Sequence, residues 1–270
     1  MDTAFACLEV EAMAIRRLMI GVVVALLFFS GTAIAKPEEP DSPQEYSRSP
    51  CLDALKRGFV ATDQGHHEEA YGHYQTALEA ASTSELRYQA SFALGSSASA
   101  LGRFDEAKHH FNQALEIKPD SASVVYSLGL VAKEVDGFQQ AASFFARAAV
   151  LDPTLVEAHV ELGIVYEILG MHTEAADACW EAVELRPDEI RALLCLGVAR
   201  YHLELYDGAA QAFETVIELD PTSAHARYSL GLCKLYAEDR AGAMAEYRAL
   251  RPLDEDMARD LFSRINPPEE

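Results

Sequence analysis

The chain has little of what a catalyst or a nucleic-acid binder needs. Lysine and arginine number 22 against 43 aspartates and glutamates, a formal net charge of −21. So acidic a chain repels phosphate backbones and anionic lipid headgroups, which excludes nucleic acid as an expected partner. There is no glycine-rich phosphate loop, no Gly-x-Ser-x-Gly turn and no His-Glu-x-x-His helix, so neither an enzyme nor a cofactor is expected. The five cysteines, Cys7, Cys51, Cys179, Cys195 and Cys233, form no Cys-x-x-Cys pair and no tight Cys/His cluster, so no metal site is expected. His66, His67, His73, His109 and His110 read as surface residues at a turn or on outward helix faces. Proline (11) and glycine (15) are too scarce, and hydrophobic residues at 50% too plentiful, for a disordered chain.

The N-terminus reads as an export signal. Arg16 and Arg17 precede an apolar run from Leu18 to Phe29, and Ala33-Ile34-Ala35 has the small-x-small form of a cleavage site. Residues 1–35 are thus expected to be removed after Ala35, leaving the rest outside the cytoplasm, in a bacterial periplasm. Asp2, Glu9 and Glu11 suit a basic leader poorly, so translation is expected to start at Met13. The alternative is an uncleaved anchor. The stretch from Leu18 to Ala35 is 18 residues, the short edge for a membrane span. Such an anchor would hold the repeats outside the cytoplasm at the inner membrane. Residues 36–50, with Pro37, Pro40, Pro43 and Pro50 among acidic residues and serine, read as a flexible linker.

What is present is a period. Pro119, Pro153, Pro187 and Pro221 stand 34 residues apart. Gly95, Gly129, Gly163, Gly197 and Gly231 keep the same step, each preceded by leucine, as do Ala107, Ala141, Ala175, Ala209 and Ala243. Self-similarity at this period means stacked units, each too small to bury its own core. Counted from its first residue, the repeats fall at 51–84, 88–121, 122–155, 156–189, 190–223 and 224–255. Glu85, Leu86 and Arg87 are an insertion between the first two.

Within a repeat, Val125, Leu128, Gly129 and Ala132 mark one face of a first helix, and Ala141, Phe145 and Ala148 one face of a second. Asp136-Gly137 breaks the first helix and Pro153 the second. Glycine at position 8 and alanine at position 20 allow close helix approach, with an aromatic residue at position 24 filling the space beside them. Cys179 takes that aromatic position and is expected to be a small buried hydrophobe; a Cys179–Cys195 bridge is conceivable in an oxidising compartment. Leu253, Met257, Leu261 and Ile265 recur every four residues and predict a capping helix ending at residue 265, followed by a tail at 266–270.

Leu-Gly at positions 7 and 8, alanine at 20 and 27, an aromatic at 24 and proline at 32 resemble the tetratricopeptide repeat, in the manner of exported bacterial members. The resemblance spans about residues 51–255. It departs at position 4, which lacks tryptophan, and at position 11, where only Tyr166 keeps the tyrosine. It implies an all-α, right-handed superhelical solenoid whose first helices line a concave groove, acting as a non-catalytic protein-interaction scaffold. The groove residues it implies are Phe92, Tyr126, Leu130, Val160, Ile164, Leu194, Val198, Tyr201, Tyr228, Leu232 and Tyr236. They are apolar and aromatic, which suits a peptide or amphipathic helix of an envelope protein. The alternative is a self-associating assembly module, a homo-oligomer without a separate client.

Overall fold

The computed structural model describes residues 49–267. The expected export signal, linker residues 36–48 and tail residues 268–270 lie outside them. The described residues form thirteen α-helices and no strand. In chain order these are α1 (Pro50–Asp63), α2 (His67–Glu79), α3 (Ser84–Ala100), α4 (Phe104–Ile117), α5 (Ala122–Glu134), α6 (Phe138–Leu151), α7 (Val156–Ile168), α8 (His172–Leu185), α9 (Ile190–His202), α10 (Tyr206–Leu219), α11 (Ala224–Tyr236), α12 (Arg240–Leu250) and α13 (Glu255–Ile265). Among the described residues no helix is long and apolar enough to cross a membrane.

Two compact bodies divide between Gly137 and Phe138, inside the third repeat. The N-terminal body holds α1 to α5 and the C-terminal body α6 to α13. Within each, successive helices pack as hairpins, and each hairpin's second helix packs on the first helix of the next, the stacking of an α-solenoid.

The periodic residues make that stacking. Ala70, Ala107, Ala141, Ala175, Ala209 and Ala243 are all fully buried. A Cβ added to Gly95 would stand 2.5 Å from the Phe111 ring, and one added to Gly197 would stand 2.7 Å from the Phe213 ring. Position 8 in these repeats is therefore glycine because the position-24 side chain lies against its backbone; at Gly231 of the last repeat Leu261 of α13 takes that place. Pro119, Pro153, Pro187 and Pro221 each lie two residues beyond the last residue of a second helix, where a missing N–H costs no helical bond. Asp152 and Asp220 close the same turn, each accepting from the threonine N–H two residues on at 3.0 Å.

The turn after each repeat's first helix places position 15 at positive φ: Gly65, Gly102, Asp136, Gly170, Glu204 and Glu238, with φ between 57° and 76°. The next residue's N–H then bonds back to the last turn of the first helix, as in Met171 to Tyr166 (2.9 Å) and Leu205 to Arg200 (2.8 Å). This is the left-handed helix stop that glycine adopts at least cost.

Three boundaries differ from expectation. Pro50 belongs to α1 as a first-turn residue after Ser49 rather than to the linker, because its fixed φ suits that position. Glu85, Leu86 and Arg87 are not a loop insertion. They lengthen α3 by about one turn, and Thr83 caps it by accepting from the Leu86 N–H at 3.2 Å. The capping helix α13 begins at Glu255, leaving Leu253 exposed before it, while Ala258, Leu261 and Ile265 bury against α11 and α12.

Candidate functional site

Most of the expected groove residues are core. Phe92, Tyr126, Val160, Leu194, Val198, Tyr228 and Leu232 are at most 6% exposed. Phe92 packs between Tyr88 and Phe111. Leu194 and Val198 share a core with Phe213 and Leu230, and Tyr228 and Leu232 share another with Leu250 and Leu261. These residues are therefore corrected from open-surface contacts to interior packing. Their neighbours on the adjoining helices cover them. Leu130, Ile164 and Tyr201 are half-buried, and Tyr236 is 48% exposed.

In the C-terminal body three partly open tyrosines gather at one junction. Tyr201 ends α9 one residue before its last, Tyr206 begins α10, and Tyr236 ends α11. Their ring centroids lie 5.6 to 5.8 Å apart, with Tyr206 and Tyr236 stacked and Tyr201 edge-on to both. Tyr201 also packs against the two core clusters on either side of it, which fixes the trio's base. Desolvation, reinforced by the nearby Glu204, pushes the Tyr206 hydroxyl above its ordinary range. Leu205, next to Tyr206 in sequence, is 56% exposed. Glu204, Asp207, Glu238 and Asp239, all exposed, lie within three residues of a member of the trio. Tyr206 was missed in the sequence; an aromatic at position 17, shared with Phe104 and Phe138, was the available signal.

One repeat earlier, the same three positions hold Glu167, His172 and His202. Both imidazoles donate from Nδ1 to the one carboxylate: His172 to Oε1 at 3.0 Å and His202 to Oε2 at 2.8 Å. These residues, 5 and 30 apart in sequence, converge only through the fold, and one ligand-type atom from each lies within 4.8 Å of the others. Cys179 and Cys195 form a disulfide between α8 and α9, with Cα atoms 6.0 Å apart. The bridge lies over Gly163, where a Cβ would stand 2.9 Å from the Cys195 sulfur and closer still to that of Cys179.

The other histidines differ. His66 and His73 approach the exposed Glu69 at 3.7 and 3.6 Å. His110 is not simply solvated: it bonds to the Tyr71 hydroxyl at 3.2 Å, which donates to Glu106 at 3.1 Å. Burial, then Glu106, raises the Tyr71 hydroxyl above its usual range. Arg103 stacks over the same ring and pairs with Glu68 at 2.9 Å. Glu68, Glu69, Asp105 and Glu106 all lie in first helical turns, where the helix dipole favours acids.

Models of the tetratricopeptide repeat match residues 51–120, and then 92–155, 126–190, 181–224 and 196–258 in overlapping windows. No curated protein matches the chain in sequence. Among solved structures, the chain is similar to YrrB, described as a tetratricopeptide protein with an unusual peptide-binding site. That likeness has 22% identity and a TM-score of 0.63, and it covers 70% of this chain and 97% of the other. It is similar to the pilF protein of Pseudomonas aeruginosa at 18% identity and a TM-score of 0.67, covering 79% and 97% of the two chains. A tetratricopeptide repeat protein from Parabacteroides merdae matches at 17% identity and a TM-score of 0.63, covering 80% and 85%. The chain belongs to the tetratricopeptide repeat family, whose members generally serve as protein-interaction scaffolds.

Proposed function

We propose that the chain is a non-catalytic scaffold that binds an apolar segment of another protein on the tyrosine trio of its C-terminal body. The observation that carries this is the clustering of Tyr201, Tyr206 and Tyr236 at a surface junction, with Tyr236 half in solvent. A rigid aromatic cluster with a buried base and an open rim is the composition of an interface anchor. The acids within three residues of it favour a segment whose apolar residues are flanked by basic ones. That YrrB carries a peptide-binding site supports the class of ligand.

The scaffold is proposed to act outside the cytoplasm, on an envelope protein. Support comes from the leader of Arg16, Arg17 and the run beginning at Leu18, and from the Cys179–Cys195 disulfide, a bond that persists in oxidising compartments. N-terminal sequencing of the chain from cells is expected to begin at Lys36; a start at Met1 or Met13 contradicts export by cleavage.

The binding surface is tested by a photo-crosslinking residue at Tyr236, compared with one at Val150, which is 79% exposed on α6. The expected result is a discrete adduct with a second polypeptide from position 236 and none from position 150. Equal labelling at both, or at neither, overturns the assignment. An adduct of twice the chain's own mass makes the partner a second copy, the self-assembly alternative.

A further inference from the structure

We propose that Glu167, His172 and His202 hold a divalent transition-metal ion of the zinc class. The repeat itself is the reference for what this position requires. The equivalent residues one repeat later are Tyr201, Tyr206 and Tyr236, and one repeat earlier they are Lys133, Phe138 and Ile168. Stacking of the hairpins therefore does not call for a carboxylate and two imidazoles here. The carboxylate is also costly in place, since the Glu167 side chain is 1% exposed. A carboxylate taken out of water needs a compensating charge held close to it.

The donors are of the right kind and distance. Each residue offers one ligand atom, and the three atoms lie within 4.8 Å of one another. A tetrahedral zinc ion with bonds of about 2.0–2.1 Å has ligand-to-ligand edges of about 3.3–3.4 Å. The two nitrogen-to-oxygen contacts, 3.0 Å from His172 to Oε1 and 2.8 Å from His202 to Oε2, lie within a few tenths of an ångström of that edge, so a small shift of the side chains lets an ion between the imidazoles take one oxygen of the carboxylate. Two imidazoles and one carboxylate select zinc, copper(II) or nickel over calcium or magnesium, which take all-oxygen cages. His172 and His202 keep 33% and 22% of their side-chain surface open, leaving an entry route and a fourth position for water. On binding, a neutral imidazole shifts its Nδ1 proton to Nε2 and a protonated one releases its Nδ1 proton to water, so that in either case a neutral ring offers the Nδ1 lone pair to the ion.

The frame around the three donors is fixed. Glu167 sits in the last turn of α7, His172 is the first residue of α8, and His202 is the last of α9. Gly170, at φ 73°, and the Met171-to-Tyr166 bond set the short turn between the first two. The Cys179–Cys195 disulfide ties α8 to α9, the two helices that carry the histidines. Ligands on short, cross-linked elements lose little freedom when an ion arrives.

The test uses the full chain carrying Cys7→Ser, stripped with chelator and kept non-reduced, titrated with zinc against a chromophoric competitor. One tight equivalent is expected. His202→Gln and His172→Gln are each expected to weaken it at least about 100-fold, while His66→Gln and His109→Gln leave it unchanged. Cobalt(II) in the same chain is expected to give the intense visible bands of a four-coordinate ion, lost in His172→Gln. A chain with native helicity that takes up no tight equivalent overturns the proposal. So does an equivalent that keeps its affinity in both histidine variants. Should a variant lose its helicity, the stoichiometry of the unmutated chain and its cobalt spectrum decide.

Discussion

Replacing a charged residue by glycine is expected to stabilise this protein. Glu204 and Glu238 occupy the helix-stop position at φ 61° and 63°, where three other repeats use glycine. The left-handed conformation costs an L-residue about 1–2 kcal/mol. Glycine avoids that cost but gives up roughly 0.5–1 kcal/mol of extra chain entropy on folding. The net expectation is a gain of about 0.5–1 kcal/mol for Glu204→Gly, or roughly 1–4 °C in Tm. Gly170→Ala is the control. It has the same turn at φ 73°, and nothing lies within 4 Å of the added Cβ, so backbone conformation alone is perturbed. It is expected to destabilise by about 1 kcal/mol. Trp180, the single tryptophan, lies on α8 under Arg200 and reports on the same body during urea unfolding. A neutral or destabilising Glu204→Gly, together with a neutral Gly170→Ala, would refute the reasoning.

Other outcomes follow from packing and charge. Removing the disulfide with Cys195→Ala is expected to cost about 3 kcal/mol, from the 16-residue separation it closes; reducing agent should lower the wild-type Tm similarly and leave the variant unaffected. Gly197→Ala presses on the Phe213 ring and is expected to cost about 1–3 kcal/mol, with Phe213→Leu in the same chain recovering part of the loss in urea titration. Burial alone would raise the Asp260 carboxyl, but hydrogen bonds from Tyr228 and Arg264 outweigh it and hold it below the usual carboxylate range. Its contribution is therefore present at neutral pH and lost as pH falls through the lowered value. Tyr228→Phe should be less stable than wild type at pH 7, with the gap closing in acid melts.

The hairpin architecture was legible because it is written in residues that repeat. Gly95 and Phe111, or Gly197 and Phe213, meet at spacings that recur in step, so one register explains several contacts at once. The turn geometry was less visible, since Asp136, Glu204 and Glu238 share the backbone conformation of Gly65, Gly102 and Gly170 without sharing their chemistry. Burial at the groove positions was not legible. Phe92, Val160 and Leu194 are as apolar as groove contacts would be, and only the packing of adjoining helices shows that they are covered. Glu85 to Arg87 read as an insertion because the period was interrupted, yet about one helical turn absorbs them without disturbing register. The Cys179–Cys195 pairing and the Glu167, His172 and His202 cluster depend on distances between different helices. No local pattern in the chain encodes those distances.

The central claim is that the tyrosine trio is the binding surface. It is tested most directly by the Kd of the segment that crosslinks at position 236, measured by calorimetry as a free peptide against wild type and Tyr236→Ala. Tyr236 is half exposed, so the variant keeps its fold. An anchor residue of this kind is expected to contribute about 2 kcal/mol, roughly a 30-fold loss of affinity. An unchanged Kd would contradict the account.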